Sequence, residues 1–322
     1  MKASRWAARL AGAVLAACLV GCAAVTPESG GPSVRIAVPS LAGGGYDLTA
    51  RSAAAVLRDA GIADVEVFNI PGSGGIVGLS RVARESGNPD LLLMMGLGLV
   101  GTLHTLPSEY SLADITPIAR LVEEPEAVLV PAASPYRSVR ELLHHWSDDP
   151  AAVSIGGGSA EGGPDGMLAL ELADAAGVGR ANLDYRRYDG GGELLPALLT
   201  GEVVAATTGI SEYLDQIRSG AVRVLAVATG ARSPAVDAPT LREQGVDVEL
   251  TNWRGIVAPP GLSASDTEDV IGLVDALRSD PRWRDVLARN GWSDAYLTGD
   301  AFADFLVEQE ARVARALGGP AS

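Results

Sequence analysis

An α/β fold of two parallel-sheet units with a cleft between them is the architecture this sequence predicts. Three observations carry that reading. Short apolar runs alternate with stretches of helical period along most of the chain, the pattern of strands joined by crossover helices. Two extended passages, 115–136 and 250–261, lack a helical period, so the chain crosses from one unit to the other and back. Five polar or glycine-rich turns sit where predicted strands give way to helices, spread over both units. Ligand sites favour strand carboxyl ends and domain interfaces.

The elements follow in order. Lys2, Arg5 and Arg9 precede the 11-residue apolar stretch "LAGAVLAACLV", which ends in "LVGC" at Cys22. That stretch is short for a membrane span and has the form of a bacterial lipoprotein signal. Residues 1–22 are therefore expected to be a signal peptide ending at a lipidated Cys22, and 23–33 a flexible tether. The only other cysteine is Cys18, so the processed chain would hold no free thiol and no disulfide. Strands are expected at 34–39, 64–69 and 90–96, with helices at 46–60 and 75–85. After the first crossing come a helix at 139–146 and strands at 153–156, 183–186, 203–208 and 222–229, alternating with helices at 163–175, 193–199 and 210–219. The second crossing is expected to be followed only by helices: 265–278, then a last one whose face is marked by Phe302, Phe305, Leu306, Val313 and Leu317. The first lobe is then 34–129 with 254–322, and the second 130–253. Trp253, on the return crossing, is expected to pack in the hinge.

Charge and composition exclude several classes. Lysine and arginine number 25 against 40 acidic residues, a net charge of −15. Losing Lys2, Arg5 and Arg9 with the signal lowers it by three to −18, a poor surface for nucleic acid or anionic headgroups. Lys2 is the only lysine, which excludes Walker-type phosphate loops, Schiff bases and kinase chemistry in the processed chain. His104, His144 and His145 are the only histidines, and His144 and His145 diverge on a helix by about 100°. The chain has no H-E-x-x-H and no G-x-S-x-G, and Ser159 has no obvious neighbouring base. An enzyme is not expected, and neither is a metal or another cofactor.

The glycine-rich turns point instead to a bound anion. In "GGGYDLTAR" (43–51) a dinucleotide fingerprint would put Leu48 at its third glycine, too large for close helix packing. Gly43, Gly44 and Gly45 can expose amides, Tyr46 or Asp47 is expected to begin the helix, and Asp47 is a good N-cap type. The helix dipole would face a carboxylate there. Arg51, one turn on, is expected to pair with Asp47. "FNIPGSGGIVG" (68–78) repeats the arrangement with Ser73 and Gly74. "GGGSAEGGPDG" (156–166), "YRRYDGGGE" (185–193) and "TTGISEY" (207–213) supply the other lobe's turns.

The ordered set "AGGGYDLTAR", "NIPGSGGIVG", "ITPIARL", "GGGSAEGGPDGMLA", "YRRYDGGGEL", "GISEYLDQIRSGAVRVLAV" and "APTLREQGVDVELTNWRGIVAPPG" resembles the periplasmic solute receptors of the tripartite tricarboxylate transporter family, from about residue 34 to 318. The resemblance implies a type II periplasmic-binding-protein fold: two Rossmann-like lobes, a central cleft and two crossover strands. It implies a small organic carboxylate held by the first-lobe loops, partly through waters, while the second lobe closes over it. Carried over, the ligand residues are Gly44, Gly45, Tyr46 and Asp47, then Ser73 and Gly74, Ser159 and Asp165, Tyr188 and Gly190, and Thr208. The implied partners are the integral membrane subunits of a secondary transporter. The receptor would be an extracytoplasmic monomer touching the membrane only through its lipid. A ligand sensor of the same fold, reporting to a membrane signalling protein, is the alternative. Gly166, where relatives often carry histidine, and Asp189 depart from the family pattern. Asp47, Asp165 and Asp189 beside a carboxylate leave a ligand ammonium, a hydroxyl and a bridging water all open.

Overall fold

The first strand, β1 (Ser33–Val38), buries Val34, Ile36 and Val38 in one core and exposes Ser33 and Arg35 on the other face, which closes over at Ala37 near the strand's end. The structure, a computed structural model, describes residues 31–160 and 162–318. The expected signal peptide, Cys22 and the tether up to residue 30 lie outside the described residues, and Ser33, expected to end the tether, opens β1 instead. Parallel to β1 run β2 (Asp64–Asn69) and β3 (Leu91–Gly96), connected through α1 (Gly45–Asp59) and α2 (Ile76–Ala83). Every residue of β3 is buried, as suits a strand covered on both faces.

From β3 the chain passes directly into α3 (Leu97–Thr105), then into the 16-residue β4 (Thr116–Pro131). Next come α4 (Val139–Asp148), β5 (Ser154–Gly157), α5 (Pro164–Ala175), β6 (Asp184–Arg187), α6 (Gly191–Thr200) and β7 (Ala205–Gly209). The helix expected at 210–219 is a 3₁₀ turn, Ser211–Tyr213, followed by the short α7 (Leu214–Arg218). β8 (Val222–Val227) and β9 (Thr251–Ala258) follow, and α8 (Ala264–Ser279), α9 (Pro281–Asn290), β10 (Ser293–Thr298) and α10 (Gly299–Ala316) close the fold.

Strand direction sets the geometry of the junction. β9 is antiparallel to β3, and β4 is antiparallel to β9. β4 therefore runs with β1–β3 and leaves the first sheet at their carboxyl edge. It then pairs antiparallel with β7, meeting it at Glu126 opposite Gly209, the end of β7. β5 is parallel to both β6 and β7. The carboxyl edges of both parallel sets thus face one junction, floored by Glu124–Glu126 of β4 with Asn252 and Thr251 of β9 alongside.

Three expectations need correction. The sheets are mixed rather than purely parallel, because β4, β9 and β10 add antiparallel pairings. β10 is a strand in a segment expected to be all helix; it pairs with β4 across a register shift. Helices α3 and α9 were not expected. "LGLVGTLHT" continues the apolar run of β3 and places its exposed polar residues, His104 and Thr105, only at its end, so periodicity misses it.

Trp253, 1% exposed, fixes the return crossing. Its ring meets Phe302 and Phe305 of α10 edge-on at centroid distances of 6.1 and 5.1 Å. Its indole N–H donates to Gln309 at 3.1 Å. Trp253→Ala is expected to cost about 3–5 kcal/mol, read as a lower urea midpoint with the m-value unchanged; a loss below 1 kcal/mol would show that the crossing is held elsewhere.

Candidate functional site

Loop one is organised by Asp47. The helix α1 begins at Gly45 with Gly44 as its N-cap, one to two residues earlier than expected, so Asp47 is the third helical residue and not the cap. Its buried carboxylate accepts from the Gly43 amide at 2.9 Å, Asn69 Nδ2 at 2.9 Å and Arg51 Nε at 2.9 Å. Burial alone would raise its pKa, but the hydrogen bonds from Arg51, Gly43 and Asn69 outweigh that and hold it below the ordinary carboxylate value. Asn69 also donates to the Ser40 carbonyl at 3.1 Å, tying loop one to the end of β2. Tyr46 turns inward: its hydroxyl accepts the Leu99 amide at 3.1 Å, capping the first turn of α3. Burial pushes its pKa up to about 12.

Loop two has a backbone that few sequences adopt. Gly72, Ser73, Gly74 and Gly75 all have positive φ. Among the described residues Ser73, at 46°, is the one non-glycine in that region, a conformation that costs of order 1 kcal/mol. Gly72, Ser73 and Gly74 are exposed just before α2. Successive backbone amides in a turn at a helix start can form an anion-binding concavity.

The second lobe's loops interlock. Asp165, in the first turn of α5, accepts the Gly158 amide at 2.6 Å, and its own amide donates to Ser159 Oγ at 3.2 Å. Gly190, φ 84°, caps α6 and donates its amide to the Gly158 carbonyl at 3.2 Å. The Gly191 amide donates to Glu212 at 2.9 Å. Thr208 is buried near the end of β7. Tyr188 is directed elsewhere: its hydroxyl donates to Glu202, beyond α6, at 2.8 Å. Ser159, Asp165 and Gly190 therefore share one loop cluster, Thr208 follows Thr207, whose hydroxyl donates to the Asp165 carbonyl at 2.9 Å, and the Tyr188 hydroxyl does not join them.

Residues absent from the sequence-based site form its floor. Arg254 of β9 and Glu124 of β4, 3% and 2% exposed, make a buried ion pair. The Arg254 guanidinium lies against Gly45, where a Cβ would strike it. The other Glu124 oxygen accepts the Ser211 amide at 3.3 Å, so the pair links loops of both lobes. Beside it stand Glu126, Asp165 and Glu212. Burial pushes Glu126 well up, with Asp165 and Glu124 adding repulsion. Asp165 is raised to about 7 by burial and then by Glu212. Glu212 keeps part of its surface in solvent, yet desolvation of its carboxylate, then Glu124, raises it too. The available signal was "EEPE", acids inside a run otherwise apolar enough for a buried strand. Among the described residues no group of three His, Cys, Asp or Glu is arranged to hold a metal ion.

Two lobes joined by crossing strands, with glycine-rich helix starts at their junction, are the arrangement of a solute-binding receptor, the class to which the family match assigns the chain. A family profile described as "Tripartite tricarboxylate transporter family receptor" matches residues 49–318, and the chain belongs to that family. It is 27% identical over 293 residues to the "UPF0065 protein in gbd 5'region" of Cupriavidus necator, covering 85% of this chain and 83% of that protein. Two solved structures share the fold at 24% identity. MatC (Rpa3494) from Rhodopseudomonas palustris with bound malate has a TM-score of 0.76 and covers 89% of this chain and 99% of that one. R. palustris Rpa4515 with adipate has a TM-score of 0.78 and covers 89% and 97%.

Two outcomes test the geometry. Arg254→Met leaves Glu124 buried without its cation and is expected to cost about 3–5 kcal/mol in urea unfolding, while Arg254→Met with Glu124→Leu recovers most of it. Asp47 has a lowered folded pKa, so its contribution is complete above the unfolded carboxylate pKa of about 4 and fades as pH falls through the folded value. Asp47→Asn should therefore be less stable at neutral pH and show a flatter acid limb; an unchanged pH profile would mean the carboxylate is not held as described.

Proposed function

We propose that this chain is a lipid-anchored extracytoplasmic receptor that captures a small organic carboxylate by closing its lobes and delivers it to a tripartite tricarboxylate-type membrane transporter. The observation that carries this reading is the convergence of the α1 start and the left-handed Ser73–Gly74 turn on one strand edge, beside the crossing strands. The ligand carboxylate is received by the amides of Gly44, Gly45, Ser73 and Gly74, where dipoles supply positive potential without a lysine. Tyr46 and Asp47 shape that loop. Ser159, Asp165, Gly190 and Thr208 present the closing surface, with Tyr188 at its rim. The lobes are 34–129 with 254–322, and 130–253. Malate in one structural relative and adipate in another support a carboxylate ligand, and the family description supports the transporter. Cys22, lipidated after cleavage of 1–22, holds the receptor at the membrane through the 23–33 tether.

Protein freed of copurified ligand is to be titrated with di- and tricarboxylates while thermal unfolding is followed. A ligand at 100 times its Kd adds about 2.7 kcal/mol, roughly 4 °C for a chain of this size. A Cβ on Gly44 would make only ordinary contacts, with the Leu41 carbonyl at 3.9 Å and Ser40 Oγ at 4.0 Å, and the backbone there is extended. Gly44→Val is expected to lower the melting temperature of the free protein only slightly, the cost of a poorer N-cap, and to abolish the shift. No shift with any carboxylate would sink the reading. Cys22→Ala is expected to move the protein from the membrane fraction to the soluble one.

A further inference from the structure

Four carboxyl groups gather on the second-lobe side of the junction: Glu124, Glu126, Asp165 and Glu212. Arg254 is the cation that reaches them, and it is already paired with Glu124. Asp165 and Glu212 each accept one loop amide. Glu126, 0% exposed, has no partner in good hydrogen-bond geometry for either oxygen among the described residues; the Asn252 amide, which donates to Glu124 at 3.4 Å, is the donor that lies near it. The Tyr213 hydroxyl, 1% exposed and set among Glu212, Asp165 and Thr208, also meets no partner in hydrogen-bond geometry, and neither does the Ser211 hydroxyl. Buried polar groups are normally satisfied, and an unpartnered carboxylate is the costliest exception. These groups converge on the floor onto which the loops of both lobes open. A second ligand carboxylate placed there would meet a donor only where one of these carboxyls is protonated and repulsion where it is not, whereas an ammonium is favoured by the ionised forms. A group with several N–H donors and a positive charge would satisfy Glu126, Asp165 and the Tyr213 oxygen together.

We propose that this half of the site is a subsite for an ammonium group, so that the ligand is an amino carboxylate with its carboxylate on the first-lobe amides and its ammonium among Glu126, Asp165, Glu212 and Tyr213. The proposal rests on the receptor reading above and narrows its ligand class. The absence of a metal-holding group among the described residues favours an organic cation over a metal ion. The two ends of the site then have opposite sense: helix starts and left-handed amides on one side, carboxyls on the other.

The test uses matched pairs in which one carboxylate is exchanged for an ammonium on the same carbon chain: succinate with 3-aminopropanoate, glutarate with 4-aminobutyrate, adipate with 5-aminopentanoate. Each is titrated calorimetrically into the full receptor after removal of copurified ligand. In at least one pair the amino member is expected to bind about tenfold tighter or more, the scale of a buried charge pair. Glu126→Gln, an isostere that keeps the shape of the floor, should collapse that preference to within about threefold, and Tyr213→Phe should weaken it. Melting temperatures of the free variants confirm folding. If the dicarboxylate binds as tightly or tighter in every pair, the ammonium subsite is overturned and the carboxylate receptor stands. If the preference survives in Glu126→Gln, the assignment to this cluster is overturned. If neither series binds, both readings fall.

Discussion

The buried pair between Arg254 and Glu124 is the constraint around which the site is arranged. Each partner lies on a different crossing strand, and each reaches the loops of a different lobe. Desolvating two charges is expensive, so such a pair persists only where further partners satisfy both groups. Arg254 also lies 3.4 Å from Thr49 Oγ1 and 5.6 Å from the centre of the Trp292 ring. Glu124 also accepts from Asn252 at 3.4 Å. Two glycines are required for reasons that turn geometry does not supply. Neither Gly45 nor Gly209 has positive φ. A Cβ on Gly45 would enter the guanidinium, and one on Gly209 would enter the Glu124 carboxylate. The three glycines of "GGGYD" therefore do three jobs: Gly43 turns the chain at φ 91°, Gly44 caps α1, and Gly45 makes room for an arginine more than 200 residues away.

That distance explains what the sequence could and could not disclose. Parallel strands and crossover helices were legible because their signals are local: apolar runs, helical period and glycine turns at strand ends. β2 matches the expected 64–69 residue for residue. β10 was not legible, because "SDAYLT" buries only Ala295 and owes its conformation to pairing with β4. α3 was hidden by its own burial. Covered by Tyr46, loop two and α10, it exposes polar residues only at its end, His104 and Thr105, and its buried first two turns carry no period to read.

The site divides along the same line. The turns at Gly44–Asp47, Ser73–Gly74, Ser159–Asp165 and Gly190 were visible as composition, and the structure brings them to the facing strand edges. The floor was not visible. Glu124 and Glu126 read as polar interruptions of an extended passage, and only the pairing of β4 with β7 and β9 places them between the lobes. Tyr188 shows the opposite error. Its neighbours belong to the cluster, but its hydroxyl reaches Glu202, a contact that no motif position could foretell.

Asp47 and Asp165 bring the two halves into direct comparison. Each stands in the first turn of a helix that follows a glycine-rich loop, and each accepts an amide from its own loop. At Asp47 an arginine and an asparagine complete the set, and the carboxyl is held below its ordinary pKa. At Asp165 no cation pairs with the carboxyl; burial and Glu212 raise it to about 7. The same local motif is thus neutralised in one lobe and left electrostatically unsatisfied in the other. A helix dipole can offset part of that deficit, since roughly half a unit charge lies at each helix start. It cannot offset Asp165, Glu126 and Glu212 together. The asymmetry lies in the partners and not in the motif, and it makes the two ends of the junction electrostatically unlike.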